Sequence, residues 1–197
     1  MKNFKVIDFR FADVNDNYDE KYAIDGVWSR LYEYHYVLNT IKMNMLKNMS
    51  KPKIHNSSWG FAGIHVPFRD ELDGIGECIH SDIQNSDVRD TYYYDITMEE
   101  PEFENYYDFV LNISTIEHLD GKEKRFQAIE NLWKQVKVGG YLILTFDYPR
   151  VNLSKIEVLI DFKCKQPINV LNGENSINPN KNYKDLNIIY LVLKKLL

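Results

Sequence analysis

Cysteine is nearly absent from this chain. Only Cys78 and Cys164 occur among 197 residues, far apart, so neither a CxxC metal knuckle nor a disulfide framework is available. Such sparse usage suits a reducing compartment. Long apolar runs are missing too, and none approaches the roughly 18 residues that a membrane span needs. The opening Met1-Lys2-Asn3-Phe4-Lys5-Val6-Ile7-Asp8 meets an acid before any apolar core of signal-peptide length. No secretory leader is therefore expected, and a cytoplasmic setting is the default. A basic excess is lacking as well. The 24 Lys and Arg face 29 Asp and Glu, a net charge of −5. That counts against a general nucleic-acid binder, whose affinity rests on neutralising phosphates, although Lys47, Lys51 and Lys53 form a small basic cluster. The five histidines, His35, His55, His65, His80 and His118, show no ligand spacing such as His-x-x-x-His. His80 with Asp82 alone makes a weak pair, so no metal site is expected.

What is present is the composition of an ordinary globular domain. Hydrophobic residues make up 44% and charged residues 27%, and the length suffices to bury a full core. The chain is organised around residues 106–149. An apolar run, Tyr107-Asp108-Phe109-Val110-Leu111-Asn112-Ile113-Ser114, leads into the polar Thr115-Ile116-Glu117-His118-Leu119. A helical segment follows with Phe126, Ile129, Trp133 and Val136 on its inward face, then the Val138-Gly139-Gly140 turn and a second run, residues 141–147. Strand, polar loop, amphipathic helix, turn and strand compose one βαβ unit of a parallel sheet. Ligands in such sheets bind outside the carboxyl ends of the strands.

The rest of the chain extends this pattern. Residues 1–25 carry a weak strand over 5–11 and are expected to form an arm or cap. Residues 26–197 are expected to be a single domain. Apolar positions Trp28, Leu31, His35, Leu38, Ile41 and Met45 predict a helix over 24–45. Residues 53–58 predict a strand, 59–63 a glycine turn, and 64–72 a short helix partly interrupted by Pro67. Strands ending near acids are expected at 77–82 and 92–96. Beyond Pro149, residues 154–162 suit a helix or a strand, 166–184 a long loop flanking a short strand at 168–171, and 186–193 a final strand.

This order resembles the class I S-adenosylmethionine-dependent methyltransferase family over most of residues 28–197. The 107–119 stretch is similar to the family's fourth strand with its following Glu-His, here Glu117-His118. Residues 132–144, Leu-Trp-Lys-Gln-Val-Lys-Val-Gly-Gly-Tyr-Leu-Ile-Leu, are similar to its L-K-P-G-G turn and fifth strand, with Val138 in place of the usual proline. The two motifs at this spacing are fairly specific together. The resemblance implies a Rossmann-like, doubly wound, mainly parallel α/β sheet with an antiparallel C-terminal strand, in three αβα layers.

It also implies a site. The family's acid and G-x-G-x-G loop after the first strand corresponds to residues 55–63. Only Gly60 and Gly63 remain there, and Asn56 or His55 stands at the acid's position. Glycines at such a loop let backbone approach a ligand, and Ser57 and Ser58 are small enough to do the same. By the same resemblance Asp82 would accept from the ribose hydroxyls, Asp95 would meet the adenine amino group, and Asn112 would lie against the amino-acid portion. Asp95 can equally cap a turn with Thr97. Arg30 could pair with the cofactor's carboxylate, and His118 could serve as general base. The implied activity is methyl transfer from S-adenosylmethionine to a small-molecule acceptor, an oxygen of a sugar or other metabolite. Homodimerisation stays open. The alternative is a catalytically inactive protein of the same fold acting as a binding or assembly partner, which the thinned glycine loop motivates. A nucleotide-dependent oxidoreductase is weaker, because no G-x-G-x-x-G follows the first strand.

Overall fold

The computed structural model describes residues 1–13, 15–22, 29–45, 51–60, 62–165 and 187–197. Seven strands form one sheet: β1 (Phe4–Phe11), β2 (Lys53–Ser57), β3 (Glu77–Asp82), β4 (Tyr92–Tyr93), β5 (Tyr107–Ile113), β6 (Val136–Tyr148) and β7 (Asn187–Lys195). Their spatial order is β1-β7-β6-β5-β2-β3-β4. The β2–β3, β2–β5, β3–β4 and β5–β6 pairs are parallel. β7 runs antiparallel to both β6 and β1, so it alone is reversed. The sheet is mainly parallel, with the expected antiparallel final strand.

Among the described residues four α-helices cover it: α1 (Arg30–Asn44), α2 (Val66–Ile75), α3 (Lys122–Gln135) and α4 (Leu153–Ile160). Strand alternation divides the core between two faces. Phe109, Leu111, Ile113, Tyr141, Ile143 and Val192 meet α1 and α2 through Tyr34, Val37, Leu38, Ile41, Phe68 and Leu72. On the opposite face Val110, Leu142, Leu144, Phe146, Ile189 and Leu191 meet Ala128, Ile129, Leu132 and Trp133 of α3 and Ile156 and Ile160 of α4. The result is a Rossmann-like three-layer α/β fold. Every residue of β5 is buried, as a central strand covered on both faces requires.

Several local expectations need correction. Residues 1–25 were expected as an arm or cap, yet β1 is an integral strand of the sheet, paired along β7. Lys165 adds a single parallel bridge to it at Arg10. Alternation along β1 is broken between Val6 and Asp8, where the apolar Ile7 is exposed and the register shifts, which is why its sequence reads weakly. In α1 the buried face is Tyr34, Val37, Leu38 and Ile41 together with Glu33, so the stripe is rotated from the one expected and His35 is only half-buried. Trp28 lies outside the described residues, as does the expected strand at 168–171. Pro67 does not interrupt α2. It sits in the first turn, where its missing N–H costs no helical hydrogen bond. The strand expected at 92–96 shrinks to two residues.

The Gly-Gly turn is a bulge within β6. Pairing jumps from Tyr107↔Val136 to Phe109↔Tyr141, with Gly139 at φ +83°. A Cβ on Gly140 would lie 2.8 Å from the Asp108 carbonyl oxygen, so only glycine allows this approach of backbone to backbone. Residues 154–162 resolve into the helix α4, capped by the Asn152 side chain accepting from Lys155 N–H.

One polar group ties the layers together. Glu33, fully buried on α1, accepts from Ser114 Oγ at 2.6 Å just beyond β5, and from Thr145 Oγ1 on β6. Its other oxygen accepts from Arg30 Nη1 one turn earlier in the same helix. Burial alone would raise the Glu33 pKa, but Arg30 and the hydroxyl donors from Ser114, Thr145 and Ser29 overcome it and lower the pKa. Glu33 is thus a buried ion whose partners are all in place. Glu33→Ala would leave the Arg30 cation buried without its partner, and is expected to cost about 3–5 kcal/mol. The check is urea denaturation, read as a lower midpoint at unchanged slope.

Candidate functional site

The chain reverses direction across the sheet between β2 and β5, since β2 leads outward to β3 and β4 while β5 returns to β2's other side. At that switch point the carboxyl ends of β2, β3 and β5 surround a cavity of about 270 Å³. Asn56 lies at the end of β2, Asp82 at the end of β3, and Ile113 and Ser114 at the end of β5. Arg30 and Tyr34 of α1 close one side, and His65 and Phe68 close the side at the start of α2. Ile83, Asp95 and Ile96 form the far wall, while His118 stands at the exposed rim. The cavity therefore carries a cation on its α1 side and two carboxylates beyond β3 and β4.

The loop after β2 is shaped by two left-handed residues, Ser58 at φ 54° and Gly60 at φ 90°. Gly60 serves two purposes. Its N–H donates to Asp82 Oδ2 at 3.2 Å, and a Cβ there would lie 2.5 Å from His65 Cδ2. Asp82 also accepts from Gln84 N–H through Oδ1 at 3.1 Å, so the carboxylate fastens both loops around it. His65, which composition and spacing did not single out, shares a 2.6 Å hydrogen bond with Tyr34 Oη through Nδ1. Burial, helped by the charge of Arg30, pushes the His65 pKa down to about 4, so the ring is neutral at pH 7. Trp59 is buried, donates through Nε1 to Thr91 Oγ1 at 3.1 Å, and has the Arg69 guanidinium 4.9 Å from its ring.

Of the residues singled out from sequence, Asn56, Gly60, Asp82, Asp95 and His118 meet at this cavity. Ser57, Gly63 and Asn112 are not among its lining residues. Ser57 Oγ donates to the Leu111 carbonyl at 2.6 Å, and Asn112 Nδ2 donates to Ser57 Oγ at 3.0 Å, so this pair stitches β2 to β5 inside the sheet. Gly63 opens the turn before α2, with no atom near enough to demand glycine. Between His55 and Asn56, the two residues at the acid's position, only Asn56 reaches the cavity. His55 is fully buried, linked to Gln135 Oε1 at 2.6 Å and Ser81 Oγ at 2.7 Å, and burial pushes its pKa down to about 4. Asp95 Oδ1 accepts from Thr97 N–H at 2.8 Å and Thr97 Oγ1 at 2.7 Å, the turn-capping arrangement, while its residue still lines the cavity. No metal site was expected, yet the ligand atoms of Asp73, Cys78 and His80 lie within 4.8 Å of one another. The sequence pairing of His80 with Asp82 is replaced by His80 with Asp73, at 3.0 Å.

Beside the rim lies a group of acids that share protons unequally. Glu117 is buried, and burial together with the charges of Asp147 and Glu33 pushes its pKa up to about 8, against its own backbone N–H and Arg30. Asp147 is pushed up to about 6 by burial and by Glu33, against Arg150 and Arg30. Glu33, holding Arg30 directly, keeps its charge, while Glu117 carries a proton at pH 7. His118, between Arg150, Arg30 and Arg125, has its pKa lowered first by burial and then by those three positive charges.

No family model matches this chain, and no curated protein matches it. Solved structures do. The N-methyltransferase NodS from Bradyrhizobium japonicum WM9, in complex with S-adenosyl-L-homocysteine, is similar at 11% identity, with 89% of this chain and 95% of that one covered and a TM-score of 0.54. The chain has the methyltransferase fold. A SAM-dependent methyltransferase from Aquifex aeolicus is similar at 14% identity, covering 85% and 93%, with a TM-score of 0.51. The 4+2 cyclase SpnF matches at 10% identity over 97% and 88%, with a TM-score of 0.53. Identities this low establish shared architecture, and the same architecture hosts more than one chemistry.

Two outcomes test this site. Gly60→Ala would force both an L-residue into φ 90° and a methyl against His65, and is expected to cost more than about 1 kcal/mol, read as a lower thermal midpoint. Glu117 has a folded pKa above its unfolded value, so its protonated form supports stability below the unfolded pKa, and that support fades as pH rises toward about 8. Glu117→Gln does not titrate. Its stability relative to the parent protein should therefore improve between roughly pH 4.5 and 8, by up to about 1.4 kcal/mol per pH unit, and level off above. Parallel denaturation curves across that range decide it.

Proposed function

We propose that this protein transfers a methyl group from S-adenosylmethionine to a small-molecule acceptor, an oxygen of a sugar or other metabolite. The single observation that carries the reading is the polarity of the cavity at the β2/β5 switch point. A ligand lying there meets the Arg30 cation on the α1 side and, with the Gly60 loop bonded to the first of them, the Asp82 and Asp95 carboxylates. S-adenosylmethionine has the complementary order, a carboxylate at its amino-acid end and hydroxyl and amino donors on its adenosine end. Asp82 would accept from the ribose, Asp95 from the adenine amino group through the oxygen Thr97 leaves free, and Ile83 and Ile96 would pack the base. Asn56 and Gly60 would face the methionine part. Gly63 contributes only to the turn, and Ser57 and Asn112 would act at one remove by fixing the end of β2 against β5.

The cofactor supplies an electrophilic methyl on a sulfonium. The protein's share is alignment, exclusion of water and, for a hydroxyl acceptor, removal of one proton. His118 at the rim is the group proposed for that proton, because its lowered pKa leaves the ring neutral and able to accept at pH 7. A net charge of −5 disfavours a nucleic-acid acceptor. Among the described residues no helix is long and apolar enough to cross a membrane.

A second reading, a non-catalytic binding or assembly partner, draws on the loop after β2, where one glycine alone is sterically required. Isothermal titration with S-adenosylhomocysteine separates the two. Binding in the micromolar to low millimolar range is expected, and none at millimolar ligand would remove the methyltransferase reading. With an acceptor identified by screening, His118→Ala should lower kcat by about 10²–10⁴-fold. The parent enzyme's kcat/KM should rise with pH through a value below the usual histidine range and be flat by pH 7. An unchanged rate in His118→Ala removes the base and leaves the class.

A further inference from the structure

Asn56 faces two environments at once. It is 3% exposed and lines the cavity, yet its Nδ2 lies 3.1 Å from His80 Nδ1 on the neighbouring strand β3. The opposite ring nitrogen, His80 Nε2, lies 3.0 Å from Asp73 Oδ1 on α2. His80 is itself buried, while Asp73 reaches solvent. These three side chains form a single file from the protein surface to the cavity.

Hydrogen-bond chemistry fixes the direction of that file. An ionised carboxylate can only accept, so the Asp73 contact requires a proton on Nε2. A neutral imidazole carries one N–H, and the 3.0 Å contact to the carboxylate places it on Nε2. With that N–H spent on Asp73, Nδ1 offers a lone pair. The Asn56 amide must then give N–H to it, and its carbonyl oxygen turns away. Among the described residues no donor meets that Oδ1. An amide rotated the other way would set oxygen against a ring lone pair.

We propose that Asp73 and His80 are positioning residues that hold Asn56 Oδ1 toward the cavity as an acceptor for an N–H donor of the bound ligand. This rests on the methyltransferase reading for the ligand's identity. There the donor is the α-ammonium of the methionine part, the one polar group at that end that neither Arg30 nor the loop amides can satisfy. A surface carboxylate thus sets, through one imidazole, which end of an amide the ligand meets. Asn56 alone among the three touches the ligand.

The same residues offer a competing chemistry. Cys78 Sγ lies with His80 and Asp73 within 4.8 Å, and a zinc-class ion would take the Nε2 lone pair, move the ring proton to Nδ1 and reverse the amide. Burial pushes the Cys78 thiol up to about 12, so without a metal it stays protonated.

The test combines two readouts on the full chain. Histidine ring ¹⁵N shifts should report the Nε2–H form for His80 in the parent protein, and a mixture in Asp73→Ala. Titration with S-adenosylhomocysteine should show Asp73→Ala weakened about 3- to 10-fold and Asn56→Leu weakened about 10-fold or more. The analogue lacking the amino group should bind parent and Asp73→Ala equally. Asp73 is exposed, so this variant is expected to fold, and a matching thermal midpoint verifies it. An Nδ1–H ring in the parent protein overturns the relay, as does an equal loss for both ligands in Asp73→Ala. Loss of the Nε2–H signal on adding zinc at micromolar concentration gives the three side chains to a metal and overturns it too. Should neither ligand bind the parent protein, the methyltransferase reading and the ammonium assignment fall together, while the ring tautomer still decides the relay.

Discussion

The buried carboxylate of Glu33 is the constraint on which the arrangement of the site depends. A charge without solvent persists only where every lone pair is answered, and Glu33 is answered from three segments at once: its own helix through Arg30, the turn after β5 through Ser114, and β6 through Thr145. Those contacts place α1 over the carboxyl ends of the two central strands and bring Arg30 and Tyr34 to the cavity wall. They also set the charges of their neighbours. Burial first, with the charges of Asp147 and Glu33 added, keeps the proton on the nearby Glu117 against the pull of Arg30.

On the other side of the cavity the ordering agent is a steric one. Gly60 lets backbone pass beneath the His65 ring and still reach Asp82, so the loop after β2, the start of α2 and the end of β3 form one interlocked corner. Tyr34 completes it, bonding His65 and stacking on Phe68 with ring centroids 3.9 Å apart. The two corners share Tyr34 and Arg30, one turn of helix. A change in how α1 sits would be felt at both ends of a bound ligand.

Much of this was legible in the sequence, and the exceptions have physical causes. The runs at 107–114 and 141–147 read as central strands because burial on both faces leaves little but apolar residues. Acids at the ends of β3 and β4 were findable from position alone, since a parallel sheet places successive strand ends together. Arg30 on α1 was placed near the ligand by the family resemblance, but the tie that fixes this helix was not legible. Its buried face contains Glu33 and Tyr34, and the partners of Glu33 are 81 and 112 residues away in the chain, beyond any window of periodicity. His65 was missed for the same reason, its partner Tyr34 lying 31 residues back. Asn112 was placed at the ligand by the family resemblance and Ser57 by its small size in the loop after β2, while in the structure they bond each other and β5's backbone. The Gly139-Gly140 pair signalled a break in the strand and could not say that the break is a bulge.

The position of β7 bears on how this molecule comes to be assembled. It is the latest of the described strands in sequence, yet it lies inside the sheet, between β6 and the earliest strand, β1. During synthesis β1 emerges first and finds no sheet partner until β7 has been made, while β6 waits with an unpaired edge. The two ends of the described chain then close on each other, down to a 2.7 Å bond from Leu196 N–H to the Asn3 carbonyl. Completion of the sheet therefore waits on the latest of the described strands. A chain in which β7 has not yet joined the sheet leaves the facing edges of β1 and β6 unpaired.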